Sequence, residues 1–128
     1  MNVLVNEWIA KAEADYHSAR RDYRARKFPN YDGAAFHAQQ CIEKYLKGFL
    51  ASCGQQSTWG HDLLAIAEKC VPVFPELEIE KALLALLTKF AVRYRYPGES
   101  ASKTDAKSAI KAMETLRRLI RSKMALLT

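Results

Sequence analysis

Polar side chains recur at helical spacing in one stretch of the sequence, between residues 36 and 47. Gln40, Glu43 and Lys47 follow one another at steps of three and four residues, and His37 and Lys44 flank them. Such steps place side chains on one face of an α-helix, so the stripe is ordered as well as polar. The same pattern also fits a solvated helix face, in which Glu43 and Lys47 form an exposed ion pair of little energetic weight.

A second candidate is the segment Arg93-Tyr94-Arg95-Tyr96-Pro97-Gly98, in which two arginines alternate with two tyrosines. Arginine binds phosphate through its planar fork, and an aromatic ring can stack on a base. The alternative is structural: the tyrosines pack a helix end while the arginines bind its last carbonyl groups. The residues alone leave both interpretations open.

Motifs of several other chemistries are absent from the sequence. It contains no glycine-rich phosphate loop and no G-x-S-x-G nucleophile elbow, and few acidic residues pair on one helix face. The three histidines lie on separate segments, and no two cysteines stand at metal-ligand spacing. We therefore expect no metal site and no cofactor, and we expect Cys41, Cys53 and Cys70 to be buried or half-buried free thiols.

Length and composition indicate one globular domain, spanning residues 1–128. Apolar residues make up 49% of the chain and charged residues 27%, which allows one hydrophobic core and argues against disorder. The longest apolar stretches, such as residues 82–87, are far shorter than the roughly 20 residues that a membrane-spanning helix needs. Residues 1–7 lack the pattern of a secretory signal. We expect a soluble, cytoplasmic protein.

Positive charge is concentrated in two segments of a chain whose net charge is +6. Residues 20–27 carry five arginines and lysines against one acid, and residues 103–123 carry seven against two. Such clusters attract phosphates, nucleic acids or acidic proteins, although a solvated helix face has the same composition.

Hydrophobic periodicity predicts the elements that position these groups. Apolar residues recur at three- and four-residue steps, and no alternating strand pattern occurs. Asp32 is the expected N-cap of the second helix, and Gly54 is its expected C′ residue. The predicted helices cover residues 3–26, 31 or 32 to 53, 61–70, 76–94 and 103–127, with Leu127 facing inward. The fold class is therefore all-α: an up-and-down bundle of four long helices and one short helix.

Four segments of the chain carry a pattern that is recognisable as a set. They are Trp8 with Ala12-Glu13-Ala14-Asp15, residues 34–50 (AAFHAQQCIEKYLKGFL), His61-Asp62-Leu63, and Arg95-Tyr96-Pro97-Gly98. In this order they resemble the opening helix, the central helix, the entry to the third helix and the end of the fourth helix of HEPN domains (higher eukaryotes and prokaryotes nucleotide-binding). The likeness covers residues 6–122 and implies a helical bundle that commonly dimerises.

The resemblance implies one of two kinds of function, of which the first is ribonuclease activity. One branch of the family consists of metal-independent ribonucleases, including toxins paired with a nucleotidyltransferase-like antitoxin. Their signature is an Arg followed four to six residues later by His, contributed by both subunits. Here no His follows Arg93 or Arg95, because His61 is the last histidine of the chain. The usual group for proton transfer is therefore missing from the signature, and a tyrosine is a poor base at neutral pH.

The other branch resembles this chain better. It implies a non-catalytic nucleotide- or RNA-binding module that is homodimeric and partners a minimal nucleotidyltransferase, as in toxin–antitoxin systems. On that model a polar groove binds the ligand, and its cations hold the phosphate. The residues implied for this groove are His37, Gln40, Glu43, Lys44, Lys47, His61, Arg93, Arg95 and Tyr96. Two alternatives stay open: a ribonuclease with an atypical active site, and a structural protein-interaction domain.

Overall fold

Five α-helices and one short 3-10 helix make up the computed structural model, which describes residues 2–56 and 60–126. In chain order they are α1 Val3–Arg24, α2 Tyr31–Ser52, α3 Leu63–Cys70, the 3-10 helix Pro75–Glu80, α4 Lys81–Arg93 and α5 Lys103–Lys123. No strand occurs within these described residues. The predicted all-α class is therefore confirmed, with α3 as the short helix.

The second helix is the centre of the bundle and contacts all four other α-helices. An apolar arc that is wide enough to be covered from several sides explains this position. Against α1 the helix runs antiparallel, with Trp8 beside Gly48 at one end and Asp22 beside Gly33 at the other. A Cβ atom at position 48 would lie 3.1 Å from the Trp8 Cβ, so glycine allows the two backbones to approach closely here.

The start of α2 is fixed by Asn30 rather than by Asp32. The Asn30 Oδ1 accepts a 2.8 Å hydrogen bond from the Gly33 N–H, which makes Asn30 the N-cap. The prediction that Asp32 caps this helix was wrong, because Asp32 lies inside the first turn. Its Oδ1 instead accepts a 2.6 Å hydrogen bond from the Ala101 N–H, and this bond ties the α4–α5 connection to the start of α2.

We predicted one continuous α-helix over residues 76–94, but the fourth segment does not form one. Pro75 fixes the backbone and lacks an N–H, and the chain first forms a 3-10 helix to Glu80. Leu77 is the buried residue of this turn, whereas Ile79 is 82% exposed, so its apolar residues do not follow an α-helical face. The α-helical part therefore begins only at Lys81.

The other helix ends lie within a few residues of the predictions. The first helix ends at Arg24 and the second at Ser52, where Gly54 has φ +75° and closes a Schellman motif, as a C′ glycine does. The fifth helix ends at Lys123, and the same motif follows with Ala125 in the left-handed position, at φ 58°. Leu127, predicted to face inward, lies outside the described residues.

Two of the three cysteines are buried, as expected, but Cys53 is exposed, so that part of the prediction was wrong. Burial raises the pKa of the Cys41 thiol, and burial, with a smaller contribution from Cys53, raises the pKa of Cys70 to about 12. Of the helices in residues 2–56 and 60–126, none combines the length and the apolarity needed to cross a bilayer.

Candidate functional site

The predicted ion pair on α2 is real, but it is buried rather than solvated. Glu43 is 3% exposed and Lys47 is 8% exposed, and the Lys47 Nζ donates to the Glu43 Oε2 at 3.1 Å. The ammonium group also lies 5.8 Å from the centre of the Trp8 ring, because α1 packs over this part of α2. A buried pair must keep all its partners, since an uncompensated charge in the interior is costly.

Glu43 is the acceptor at the centre of this network. Its Oε1 accepts from the Gln39 Nε2 at 3.1 Å and from the His61 Nδ1 at 2.9 Å. Burial acts to raise the pKa of Glu43, but hydrogen bonds from Gln39, His61 and Lys47 outweigh it, and the pKa is lowered. An ionised carboxylate only accepts hydrogen bonds, so the His61 Nδ1 carries the proton and the free ring nitrogen of a neutral His61 is Nε2.

The loop that carries His61 is held in place by side chains that sequence reasoning missed. Gln39 donates to the His61 carbonyl oxygen at 2.8 Å as well as to Glu43, and Gln40 donates to the Gln39 Oε1 at 2.8 Å. The Thr88 hydroxyl accepts a 3.2 Å hydrogen bond from the Leu63 N–H, two residues further on. The imidazole itself stays accessible, with 68% of the side chain exposed.

A second carboxylate–imidazole pair joins α1 to α2. The His37 Nδ1 lies 2.8 Å from the Asp15 Oδ1, and the Lys44 Nζ donates to the Asp15 Oδ2 at 2.5 Å. Asp15 is only 8% exposed, and it was not among the predicted site residues. The sequence does indicate that Asp15 is buried, because it follows Ala12 by three residues and precedes Ala19 by four. It therefore falls on the apolar face of α1.

Three predicted residues line two neighbouring depressions between α2 and α4. The first, of about 370 Å³, contains His37, and the second, of about 190 Å³, contains His61. Ala91 and Arg95 line both, so Arg95 shares one depression with each imidazole. We call these two depressions the α2–α4 groove. Its other lining residues are Asn30, Asp32, Gly33, Phe36, Phe90 and Tyr94 in the first depression and Gln39, Asp62, Thr88 and Val92 in the second.

The other predicted residues do not line this groove. Arg93 donates from Nε to the Glu99 Oε2 at 3.1 Å and stacks 5.5 Å from the Tyr94 ring centre. The hydrogen bond and the charge of Glu99 raise the pKa of Arg93. Tyr96 is 61% exposed beyond the end of α4. Among the described residues, Arg95 makes no ion pair with a carboxylate.

A third polar network, also outside the predicted set, joins α1, α2 and α5. The Glu13 carboxylate accepts two hydrogen bonds from Arg117, at 2.7 and 2.6 Å, and one from the Tyr45 hydroxyl at 2.5 Å. Arg121 donates to the same hydroxyl at 2.8 Å. Burial acts to raise the pKa of Glu13, but the bonds from Arg117 and Tyr45 prevail and lower it. None of these four side chains lines the α2–α4 groove.

The groove combines an arginine with two imidazoles, which are side chains that can bind an anion. Arg95 lines both the depression of His37 and that of His61, and each imidazole is oriented through Nδ1 by a buried carboxylate. Within the described residues, no group of three or more His, Cys, Asp or Glu side chains is placed to bind a metal ion. The lining of the groove also includes two carboxylates, Asp32 and Asp62.

The fold is a small helical-bundle domain with a polar groove between α2 and α4. The model of the HEPN domain family matches residues 5–123, and the chain therefore belongs to that family. The crystal structure of TT1696 from Thermus thermophilus is similar in fold, with a TM-score of 0.80 and 22% identity over 93% of this chain and 97% of that one. Comparison with curated proteins yields no match.

Proposed function

We propose that this HEPN domain is a non-catalytic module that binds a nucleotide or RNA in the α2–α4 groove. The observation that carries the proposal is Arg95, a guanidinium without a carboxylate partner among the described residues, which lines one depression with His37 and the other with His61. A phosphate would be bound by Arg95, and the imidazoles would donate to or accept from its oxygens and the sugar hydroxyls.

The buried residues of the predicted set have a different role in this proposal. Glu43 and Lys47 are too buried to contact a ligand. Glu43 orients His61 through a hydrogen bond, and Lys47 in turn pairs with Glu43. Lys44 acts through Asp15, the carboxylate that orients His37. These side chains are positioning residues, and the direct contacts are assigned to His37, His61 and Arg95.

Calorimetric titration with a nucleoside monophosphate tests this assignment. The variants R95Q and H61Q should each weaken binding severalfold, because each removes a charge-assisted or directed hydrogen bond. The variant R93Q is a matched control: it makes the same substitution two residues away, on an arginine that pairs with Glu99 outside the groove. Equal effects of R95Q and R93Q, or binding that is unchanged in R95Q, would contradict the proposal.

Homodimer formation and partnership with a minimal nucleotidyltransferase are also part of the proposal. Support comes from the family and from exposed apolar side chains at or near the groove: Phe36 at 38%, Val92 at 54% and Tyr96 at 61% exposure. Light scattering during gel filtration should give twice the chain mass of 14.5 kDa, and the variant V92D should reduce it to one chain mass. Co-elution with a nucleotidyltransferase from the same genome tests the partner, and separate elution would contradict that part.

Ribonuclease activity is a second candidate, and the His61–Glu43 pair beside Arg95 favours it. Although the Arg-to-His spacing of the family signature is absent from the sequence, the fold brings a histidine from another segment to the same groove as Arg95. The His61 Nε2 could accept the proton of a 2′-hydroxyl while its oxygen attacks phosphorus and the bond to the 5′-oxygen breaks. Water would protonate the leaving oxygen, and Arg95 would hold the charged phosphate.

Incubation of the protein with mixed single-stranded RNA in EDTA distinguishes the two candidates. Binding without cleavage is expected from the main proposal, and a gel reports both cleavage and mobility shift. Cleavage in EDTA that is lost in H61Q and R95Q but kept in R93Q would replace the binding module by the ribonuclease.

A further inference from the structure

The outer face of α1 carries a further depression that the proposed function does not use. It has a volume of about 500 Å³ and is lined by His17, Arg20, Arg21, Arg24 and Ala25. Four of these five residues are cationic or can become so, and they follow one another at helical steps over seven residues, a rise of about 10 Å. We call this set the α1 basic face.

No carboxylate neutralises the arginines of this face. Within residues 2–56 and 60–126, none of Arg20, Arg21 and Arg24 forms an ion pair with an acid. Asp22, the one acid of residues 20–27, lies with its Oδ2 beside Gly33, on the α2 side of the helix. Arg117, the neighbouring arginine that also stacks on Tyr16, differs because Glu13 pairs with it.

Arg20 provides a second, independent observation at the same place. Its guanidinium stacks 5.1 Å from the centre of the Tyr16 ring, and its Nη1 donates to the Tyr16 hydroxyl at 3.1 Å. These contacts hold the fork in one orientation. Its Nε is buried and has no hydrogen-bond partner in the described part of the chain, which is a costly state for a donor. A ligand cannot reach the buried Nε, so the terminal amino groups of this fixed guanidinium are the donors that remain for a phosphate oxygen.

A helix C-terminus favours cations, but that preference does not explain the whole face. Arg21 and Arg24 lie in the last turn of α1, where they interact favourably with the helix dipole. Arg20 and His17 lie further back, and neither contacts the terminal carbonyl groups in the described structure. The helix C-terminus therefore does not explain why Tyr16 holds Arg20 in one orientation.

We propose that the α1 basic face binds the phosphodiester backbone of single-stranded RNA. Arg20 would donate to one phosphate from the terminal amino groups of its fixed guanidinium, and Arg21 and Arg24 would neutralise neighbouring phosphates along the helix. The face contains planar, unpaired arginines rather than lysines, which favours phosphate over a general acidic partner. It uses no residue of the α2–α4 groove, so it extends the proposed function to a second surface and does not depend on it.

Fluorescence anisotropy with a labelled single-stranded RNA of about 20 nucleotides, measured from 50 to 200 mM salt, tests the proposal. For single strands, each neutralised phosphate contributes about 0.7 to the slope of log affinity against log salt. The variant R21Q/R24Q should therefore bind more weakly, with a slope that is shallower by about 1.4. The variant R20K keeps the charge but loses the planar guanidinium that Tyr16 orients, so it should bind severalfold more weakly with an unchanged slope.

The matched control is K69Q/K89Q, which removes the same charge from exposed positions on α3 and α4. It should leave both affinity and slope unchanged. Equal losses in the two double variants would overturn the proposal, because they would reflect net charge alone. Absence of RNA binding at any salt would also overturn it and assign the face to an acidic protein.

Titration with a nucleoside monophosphate separates this site from the groove. R21Q/R24Q should bind the mononucleotide like the wild type while losing affinity for the long RNA. If the groove variants R95Q and H61Q leave mononucleotide binding unchanged, the proposed function fails, but the salt slopes still decide the α1 basic face.

Discussion

Substitution of Glu43 by Gln should destabilise the domain strongly, although the two side chains have nearly the same shape. In the wild type this carboxylate accepts hydrogen bonds from Gln39, His61 and Lys47. Glutamine at this position leaves the Lys47 ammonium without a countercharge, and Lys47 is only 8% exposed. The destabilisation by E43Q therefore comes mainly from the uncompensated Lys47 ammonium. The same substitution should cost little in a K47M background.

The magnitude follows from the burial of both partners. Breaking a buried ion pair by removing one charge costs about 3–5 kcal/mol, and we expect about 3 kcal/mol because the Trp8 ring partly compensates Lys47. The variant K47M should cost less, about 1.5 kcal/mol, because Glu43 keeps its bonds from Gln39 and His61. The double variant E43Q/K47M should lose about 2 kcal/mol, less than E43Q alone, because no buried charge remains.

Urea unfolding at pH 7, followed by circular dichroism, measures all three free energies. The variant E68Q is the matched control, since Glu68 is exposed on α3, and it should stay within about 0.5 kcal/mol of the wild type. If E43Q costs less than about 1 kcal/mol, or if the double variant loses the full total of the two single losses, then Lys47 reaches water and the burial argument is refuted.

Three further predictions concern stability. Ala125→Gly should raise the free energy of unfolding by about 1 kcal/mol in a urea titration, because φ at this position is 58°; no gain would contradict the left-handed conformation. The lowered pKa values of Glu13 and Glu43 imply stability that is present above their ordinary value of 4.5 and is lost as pH falls below it. Stability measured from pH 6 to pH 3 should therefore fall less steeply in E13Q/E43Q, and parallel curves would contradict this. Gly48→Val should cost about 1–3 kcal/mol in thermal unfolding, because even its Cβ would crowd Trp8; a neutral effect would show that α1 can shift.

Helix positions could be predicted from the sequence because they depend on local signals. The periodic apolar residues indicated all five α-helices, and Gly54 ended the second helix as expected. The errors occur where a contact with a distant part of the chain determines the local structure. Asp32 has the right chemistry for an N-cap, but it bonds to Ala101, which is 69 residues away in the chain. Asn30 takes the cap instead, and no spacing rule ranks one above the other.

The candidate site could be predicted only in part, for the same reason. The polar residues of α2 were identified by their spacing, but spacing does not reveal which of them another helix covers. Trp8 and the loop at His61 bury Glu43 and Lys47, whereas His37 remains at the surface of the groove. Partners from other elements, such as Asp15, were missed because a single carboxylate on an apolar face looks like an ordinary interruption of the pattern.

The burial of Lys47 changes which substitutions can test the function. A ligand that binds in the α2–α4 groove would meet His61 and Arg95, and His61 is oriented by Glu43, which in turn holds Lys47. Loss of binding in a Lys47 variant would therefore follow from a displaced imidazole or a weakened fold as readily as from a lost contact. Arg95 is exposed and forms no ion pair with the buried network in the described part of the chain. Its substitution therefore changes the groove and leaves the buried network intact. Comparison of Arg95 with Arg93 on the same helix end thus separates recognition from folding, which no substitution within the buried network can do.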